Sequence, residues 1–373
     1  MDNTNTKSDQ HIWTLEPLRF IAAVLVFFGH YVHFYMHYGI PEQSGVFFSI
    51  NNQDIGGLAV PMFFLMSGAI FSQNYGNSII SRKISVYEFM WKRIARLYPL
   101  ALAKLLITAI LQYLIKAKTS NYFIYESNDT YNFILHSLFI SDWGFQEGVG
   151  YNGPVWSVSH EIFLYFCFIF VCVLARISKT NEWIFIAAFL VIYLAQKFGV
   201  SNPLLKSGAA FFCGAAINFF FRTFCEKASN KLLLVRTAGM VVVLIILHRL
   251  FSSVGLPQGA AAPLLVVTAL VANSWLATST SETFIQLKSA ARKLGDLTYS
   301  SYLLHFPIQL VLVLISAYLV PLDFSSIGVL SIYIFLVLFS SKISFNNFET
   351  PFRRKMVSYG EARWFSKMRL QSS

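Results

Sequence analysis

Apolar runs of about 18 or more residues recur along the whole of this 373-residue chain, and each is long enough to carry a helix across a hydrocarbon core about 30 Å thick. Charged residues make up only 13% of the chain and hydrophobic ones 55%, against roughly 25% and 45–50% in an ordinary soluble domain. Together these exclude a soluble globular protein. Because lipid offers no partner for an exposed peptide group, the runs are read as helices. Apolar stretches bounded by polar clusters place them near 17–38, 55–73, 97–116, 155–175, 183–199, 207–222, 232–250, 260–278, 299–320 and 326–345. The expected fold is all-α: a polytopic integral membrane protein of about ten transmembrane helices. The expected division is a short N-terminal tail over 1–14, a transmembrane domain over 15–345 and a basic tail over 346–373. The segment 131–141 is too short to span and reads as interfacial or re-entrant.

Charge sets the orientation. With the N-terminus inside, 22 of the 29 Lys and Arg fall on its side of the membrane and only five, Lys116, Lys118, Lys197, Lys206 and Arg249, on the other. The positive-inside bias therefore puts both termini in the cytoplasm and the loop 118–154 outside. The formal net charge of +11 follows from that topology, so nucleic acid is not expected as a partner; the lipid bilayer is. Cys167, Cys172, Cys213 and Cys225 form neither a disulfide framework nor a metal-ligand pair. The polar N-terminus leads into the first run without a small-residue cleavage site, so that first span is expected to be kept.

Ionisable side chains inside spans cost roughly 2.5–3.5 kcal/mol each on insertion scales and point to function. The first span carries Arg19 and His30, eleven residues apart; at about 100° per residue they return to nearly one face, about 16.5 Å apart along the axis. A guanidinium suits bidentate capture of a phosphate or carboxylate, and an imidazole suits general-base work. Glu161, in the run Trp156-Ser157-Val158-Ser159-His160-Glu161, reaches a depth similar to that of His30 and is the expected carboxylate to fix its tautomer. Lys104, another cation within a span, competes for Glu161. Arg93 and Arg96 lie three apart before the third span, a spacing that suits a diphosphate. His305 sits at about the depth of Arg19. The expectation is a two-layer site, with Arg19, Arg93, Arg96 and His305 holding an anionic donor and His30 with Glu161 acting on an acceptor. His33 and His37 follow His30 on nearly the same stripe, but no second cluster has ligand spacing, so no metal is expected.

The ordered motifs resemble the acyltransferase-3 family, multi-span proteins that pass acyl groups, usually acetyl from acetyl-coenzyme A, to sugars or other hydroxyl acceptors. They are Leu15-Glu16-Pro17-Leu18-Arg19 with His30, Pro61-Met62-Phe63-Phe64-Leu65-Met66-Ser67-Gly68, Arg93-Ile94-Ala95-Arg96-Leu97-Tyr98-Pro99, Pro154-Val155-Trp156-Ser157 with Glu161, Tyr302 with His305, and Phe348-Glu349-Thr350-Pro351 before a basic pair. The resemblance implies that His30 is the catalytic histidine, Arg19 its essential partner, Arg93 and Arg96 coenzyme-side residues and Glu161 an acceptor-side one. Tyr302 and His305 are assigned with the donor, and Trp156, Ser157 and His33 with the acceptor. The chain departs from the family at Ala59-Val60-Pro61-Met62, where some members carry an aspartate. It ends at Ser373 with no hydrolase-like addition, so the membrane domain is expected to finish the transfer alone.

The expectation is thus an O-acyltransferase using acetyl-coenzyme A and no metal. Its acceptor would be a carbohydrate, lipid-linked or not, such as an O-antigen or exopolysaccharide, and its place a bacterial cytoplasmic (inner) membrane. His30 would take the proton of a hydroxyl that attacks the thioester directly, with a covalent acetyl-histidine as the alternative route. The rival classes are a proton-coupled transporter, disfavoured because no two similar halves are visible, and a lipid-linked-glycan scaffold, in which a buried base has no purpose. Nothing in the sequence fixes the oligomeric state.

Overall fold

In a computed structural model, the structure describes residues 12–41, 49–50, 53–151, 153–200, 202–225, 236, 238–239, 242, 261–276 and 281–365. Apart from a two-residue antiparallel pairing of Ser49–Ile50 with Gln53–Asp54, the described elements are helical. Among the described residues, six helices are long and apolar enough to cross a membrane: Leu15–Tyr38, Val86–Thr119, Gly153–Ser178, Pro203–Phe224, Glu282–Tyr318 and Ile327–Arg363. The expected spans at 55–73, 183–199 and 260–278 coincide with shorter helices, Ile55–Phe71, Ile184–Lys197 and Ala261–Leu276. All but 236, 238–239 and 242 of the expected span at 232–250 lies outside the described residues, as does most of the 1–14 tail.

The elements are α1 (Leu15–Gly29), α2 (Val32–Tyr38), α3 (Ile55–Phe71), α4 (Asn77–Ile80), α5 (Val86–Thr119), α6 (Thr130–Ser137), α7 (Trp156–Ser178), α8 (Ile184–Lys197), α9 (Pro203–Phe224), α10 (Ala261–Leu276), α11 (Glu282–Tyr318), α12 (Ile327–Ser344) and α13 (Thr350–Gly360). They group into two compact units, one of residues 1–19, 61–86 and 166–295, the other of 20–60, 87–165 and 296–373.

In the first unit the backbones of α3 and α9 touch. A Cβ on Gly68 would sit 1.8 Å from the Phe211 carbonyl oxygen, and one on Gly214 would sit 1.8 Å from that of Leu65. Small residues permit such close approach where lipid supplies no hydrophobic drive for helix association. Gly214→Ala is expected to force the helices apart and lower the melting temperature by at least about 5 °C, as read in detergent by intrinsic fluorescence. The Arg176 guanidinium donates to the carbonyls of Ile79 (2.6 Å) and Ile80 (3.2 Å), closing the end of α4, and Arg222 pairs with Glu182.

In the second unit an aromatic core joins α1 and α2 to α11, α12 and the end of α5: Phe27, Tyr31, Phe34 and Tyr35 pack with Ile115, Phe123, Phe306, Leu310, Tyr333 and Val337. Buried hydroxyls lock it in register, Tyr333 donating to the Phe27 carbonyl and Tyr31 to that of Phe324, each at 3.0 Å. Burial of hydroxyls requires such partners. Between α1 and α2 the helix tightens at His30 and Tyr31, whose neighbours bond three residues back (Tyr31 to Phe28, His33 to His30), and α2 ends at the left-handed Gly39.

Two helices are longer than hydropathy predicts. The basic stretch before the expected third span is not a loop but the first turns of the 34-residue α5, and α11 begins at Glu282 rather than near 299. The α11 extension is rich in Ala, Leu, Lys and Arg and that of α5 carries Lys92, Arg93, Ala95 and Arg96; all of these favour helix, while the charged ones lower a hydropathy window. Likewise 346–365 continues α12 through a helical turn into α13, and 366–373 lies outside the described residues. The short segment after residue 129 is helix α6, capped by Asp129, whose carboxylate accepts from the Asn132 amide at 2.7 Å.

Candidate active site

A chain of hydrogen bonds around His30 fixes where its protons are. His305 Nδ1 lies 2.7 Å from the Tyr302 carbonyl oxygen, which can only accept, so this nitrogen carries hydrogen and Nε2 of the neutral ring carries a lone pair. That lone pair faces His30 Nδ1 at 3.0 Å, so Nδ1 of His30 is the donor and Nε2 of His30 holds the free lone pair. The two rings are parallel within 12° at 5.0 Å, and the His33 ring also stacks on that of His30 at 5.0 Å.

Gln309 settles the second half. Its Nε2 donates to the His30 carbonyl at 2.7 Å, so its Oε1 is the atom facing His33 Nδ1 at 3.0 Å, and His33 must donate. His33 Nε2 then accepts from the Tyr125 hydroxyl at 3.3 Å. Each group in this relay has one consistent role, and its members come from the α1–α2 junction, α11 and the segment before α6.

The orienting partner of His30 is therefore His305, not Glu161, whose Oε1 accepts from Tyr165 at 2.6 Å. The expected layering also fails for His305: placed by the sequence with the donor, a layer away from His30, it lies 3.0 Å from the His30 ring nitrogen. Ser157 and Tyr302, assigned to opposite substrates, touch: the Tyr302 hydroxyl donates to the Pro154 carbonyl, so Ser157 Oγ donates to the Tyr302 oxygen at 2.5 Å. Trp156 meets the His160 ring edge-on at 5.0 Å, and His160 pairs with Asp142 at 2.7 Å. Lys104 does not join Glu161; its Nζ has no hydrogen-bond partner among the described residues although the residue is 1% exposed. Arg19, in the other unit, pairs with Glu16 one turn before it at 3.2 Å.

Arg93 and Arg96 do come together, and with company. Lys92, Arg93 and Arg96 of α5 and Arg353 and Arg354 of α13 line one concave pocket of about 400 Å³, with Ser358 and Glu361 at its wall. Three contacts hold the pocket's helices: Trp91 Nε1 donates to the Met356 carbonyl at 2.7 Å, Tyr299 to the Leu97 carbonyl at 2.6 Å, and Ser300 to the Glu349 carboxylate at 2.8 Å. Five cations around one hollow suit a ligand with several phosphate charges. Reading 346–373 as a tail conceals Arg353 and Arg354, although the Phe348-Glu349-Thr350-Pro351 motif stands directly before them. Gln309 and Tyr125 carry no local signal at all, because their roles come from long-range packing.

Outside the spans, on α6, burial first and Lys104 second push the pKa of His136 down to about 4, against the opposing effects of its bond to the Gly150 carbonyl and of Asp142. The folded chain refuses a proton that the unfolded chain binds below about pH 6.5. Stability should therefore fall as pH drops from about 6.5 to about 4, by about 3 kcal/mol at most. Melting curves at pH 7 and pH 5 are expected to differ less in His136→Phe than in the unchanged chain.

No curated protein and no solved structure matches the chain. The acyltransferase-3 pattern, described as an acyltransferase domain, matches residues 12–343, which takes in α1 and α2 with His30, the α5 arginines and α11 with His305. With that match over most of its length, and with helices able to span a bilayer, the chain belongs to the acyltransferase-3 family of membrane acyltransferases.

Proposed function

We propose that this acyltransferase moves an acetyl group from acetyl-coenzyme A to a hydroxyl of a carbohydrate at a bacterial cytoplasmic membrane, with His30 as general base. The observation that carries the reading is the relay from the Tyr302 carbonyl through His305, which leaves the lone pair of His30 on Nε2. Such a nitrogen can take the proton of an acceptor hydroxyl as the oxygen attacks the thioester carbonyl. The C–S bond breaks as the C–O bond forms, and the proton on His30 passes to the departing thiolate. The α5–α13 pocket supports the donor half, because coenzyme A carries a diphosphate and a further phosphate. The expected positive-inside orientation places that pocket on the cytoplasmic side, where coenzyme A is made.

The linkage formed tests the proposal. Membranes holding the chain, given acetyl-labelled coenzyme A and cell-envelope glycan, should yield glycan whose label is released as acetate by mild base, as an ester is. Label that resists base would mark an amide and overturn transfer to oxygen.

A further inference from the structure

Four buried polar atoms beside this site lack a hydrogen-bond partner among the described residues: Lys104 Nζ and Thr108 Oγ1 on α5, and Asn132 Oδ1 and His136 Nε2 on α6. The four residues are 1%, 0%, 0% and 8% exposed. An unpaired buried polar atom costs about 1–3 kcal/mol, so four in one place call for an explanation. They do share one place. Each pair is spaced four residues apart and so lies on one face of its helix. The segment carrying α6 is tied alongside α5 at both ends, by two bonds between the Gln112 side chain and the Phe123 backbone (3.0 and 2.9 Å) and by the Tyr98 and Phe139 rings at 5.5 Å. Lys104 and Thr108 fall between these ties on α5, as Asn132 and His136 do on the facing segment. Lys104 also stands within electrostatic range of His30, His136 and His305.

The orientation of each group can be read. Asn132 turns its Nδ2 to the Asp129 carboxylate at 3.2 Å, so Oδ1 is the atom left to accept. His136 Nε2 is likewise without a partner, and with the ring hydrogen on Nδ1 it is an acceptor. Lys104 needs an acceptor, and Thr108 can both give and take. A carboxylate or phosphate would satisfy Lys104 and Thr108 but repel the other two. A pair of hydroxyls, each donating once and accepting, satisfies all four. We infer that Lys104, Thr108, Asn132 and His136 form a subsite for neighbouring hydroxyl groups of the acceptor, holding a polyhydroxylated substrate against His30.

The inference rests on the proposed transfer, and its test separates the two. Purified chain in lipid nanodiscs, with saturating acetyl-coenzyme A, is given increasing amounts of envelope glycan from the cells that carry it, for the unchanged chain, Thr108→Val and Lys104→Met. Both substitutions keep the volume and remove an unpaired polar atom, so a residue with only a structural role would leave transfer alone and leave stability equal or higher. The expected result is an acceptor KM raised at least tenfold in each variant, with melting temperature not lowered and protection by coenzyme A unchanged. An acceptor KM that both variants leave unaltered, while the unchanged chain labels glycan, overturns the subsite alone. An unchanged chain that labels no glycan overturns the transferase reading, and the subsite with it.

Discussion

Replacing His30 by glutamine is expected to lower kcat for acyl transfer by about 10²–10⁴-fold while leaving the KM for acetyl-coenzyme A within a few-fold. Glutamine can still donate an N–H toward His305 but offers no basic nitrogen to the acceptor, so the loss falls on the proton-transfer step and not on binding. The neighbour makes the prediction sharper. His305 Nε2 accepts from His30 Nδ1 at 3.0 Å and is itself held by the Tyr302 carbonyl, so it positions the base and fixes its tautomer. His305→Leu removes that acceptor and leaves a buried N–H unpaired, whereas the carbonyl of His305→Gln can still accept. Activity is expected to fall about 10²-fold or more in the leucine variant and to be partly restored in the glutamine variant. Equal losses in both would mean that His305 acts by packing alone.

The second large effect belongs to the donor pocket. Arg93→Gln combined with Arg354→Gln is expected to raise the KM for acetyl-coenzyme A by about 10²-fold or more, since each charge-assisted bond to phosphate contributes about 1.5–3 kcal/mol. These two are the informative pair, because Arg96 and Arg353 also stand beside the buried Glu349 and their loss would disturb that carboxylate as well. The control is acetyl-pantetheine, which keeps the thioester and lacks the phosphates. The double variant should use it as well as the unchanged chain does, and the advantage of the full coenzyme over it should shrink in the variant and at high salt. A donor KM that the double substitution leaves unchanged would remove the pocket from the reaction.

His30 is legible in the sequence as an imidazole within an apolar run, and helical periodicity gives its face. Partners are harder to read. Counting residues from an expected membrane boundary gives depth along one helix but not which neighbour a side chain meets: Glu161 bonds Tyr165 one turn on, and His305 meets His30 across 275 positions. Arg93 and Arg96 are legible as a pair, since three-residue spacing is local information, but Arg353 and Arg354 become their neighbours because α12 continues through 345–349 into α13. Gln309 and Tyr125 illustrate the limit: both complete the relay through contacts spanning 92 to 279 positions, and such pairings leave no local pattern. The close approach of α3 to α9 at Gly68 and Gly214 is hidden for the same reason, since each glycine is unremarkable within its own run.

The most direct test of His30 as the base of a coenzyme-dependent transfer is one count of label. Vesicles holding the unchanged chain or His30→Gln, matched for coenzyme A binding, are incubated with acetyl-labelled coenzyme A and envelope glycan, and the label in the glycan is measured. Abundant label with the unchanged chain and at least about 10²-fold less with the variant is the predicted result. Equal label in the two would contradict it.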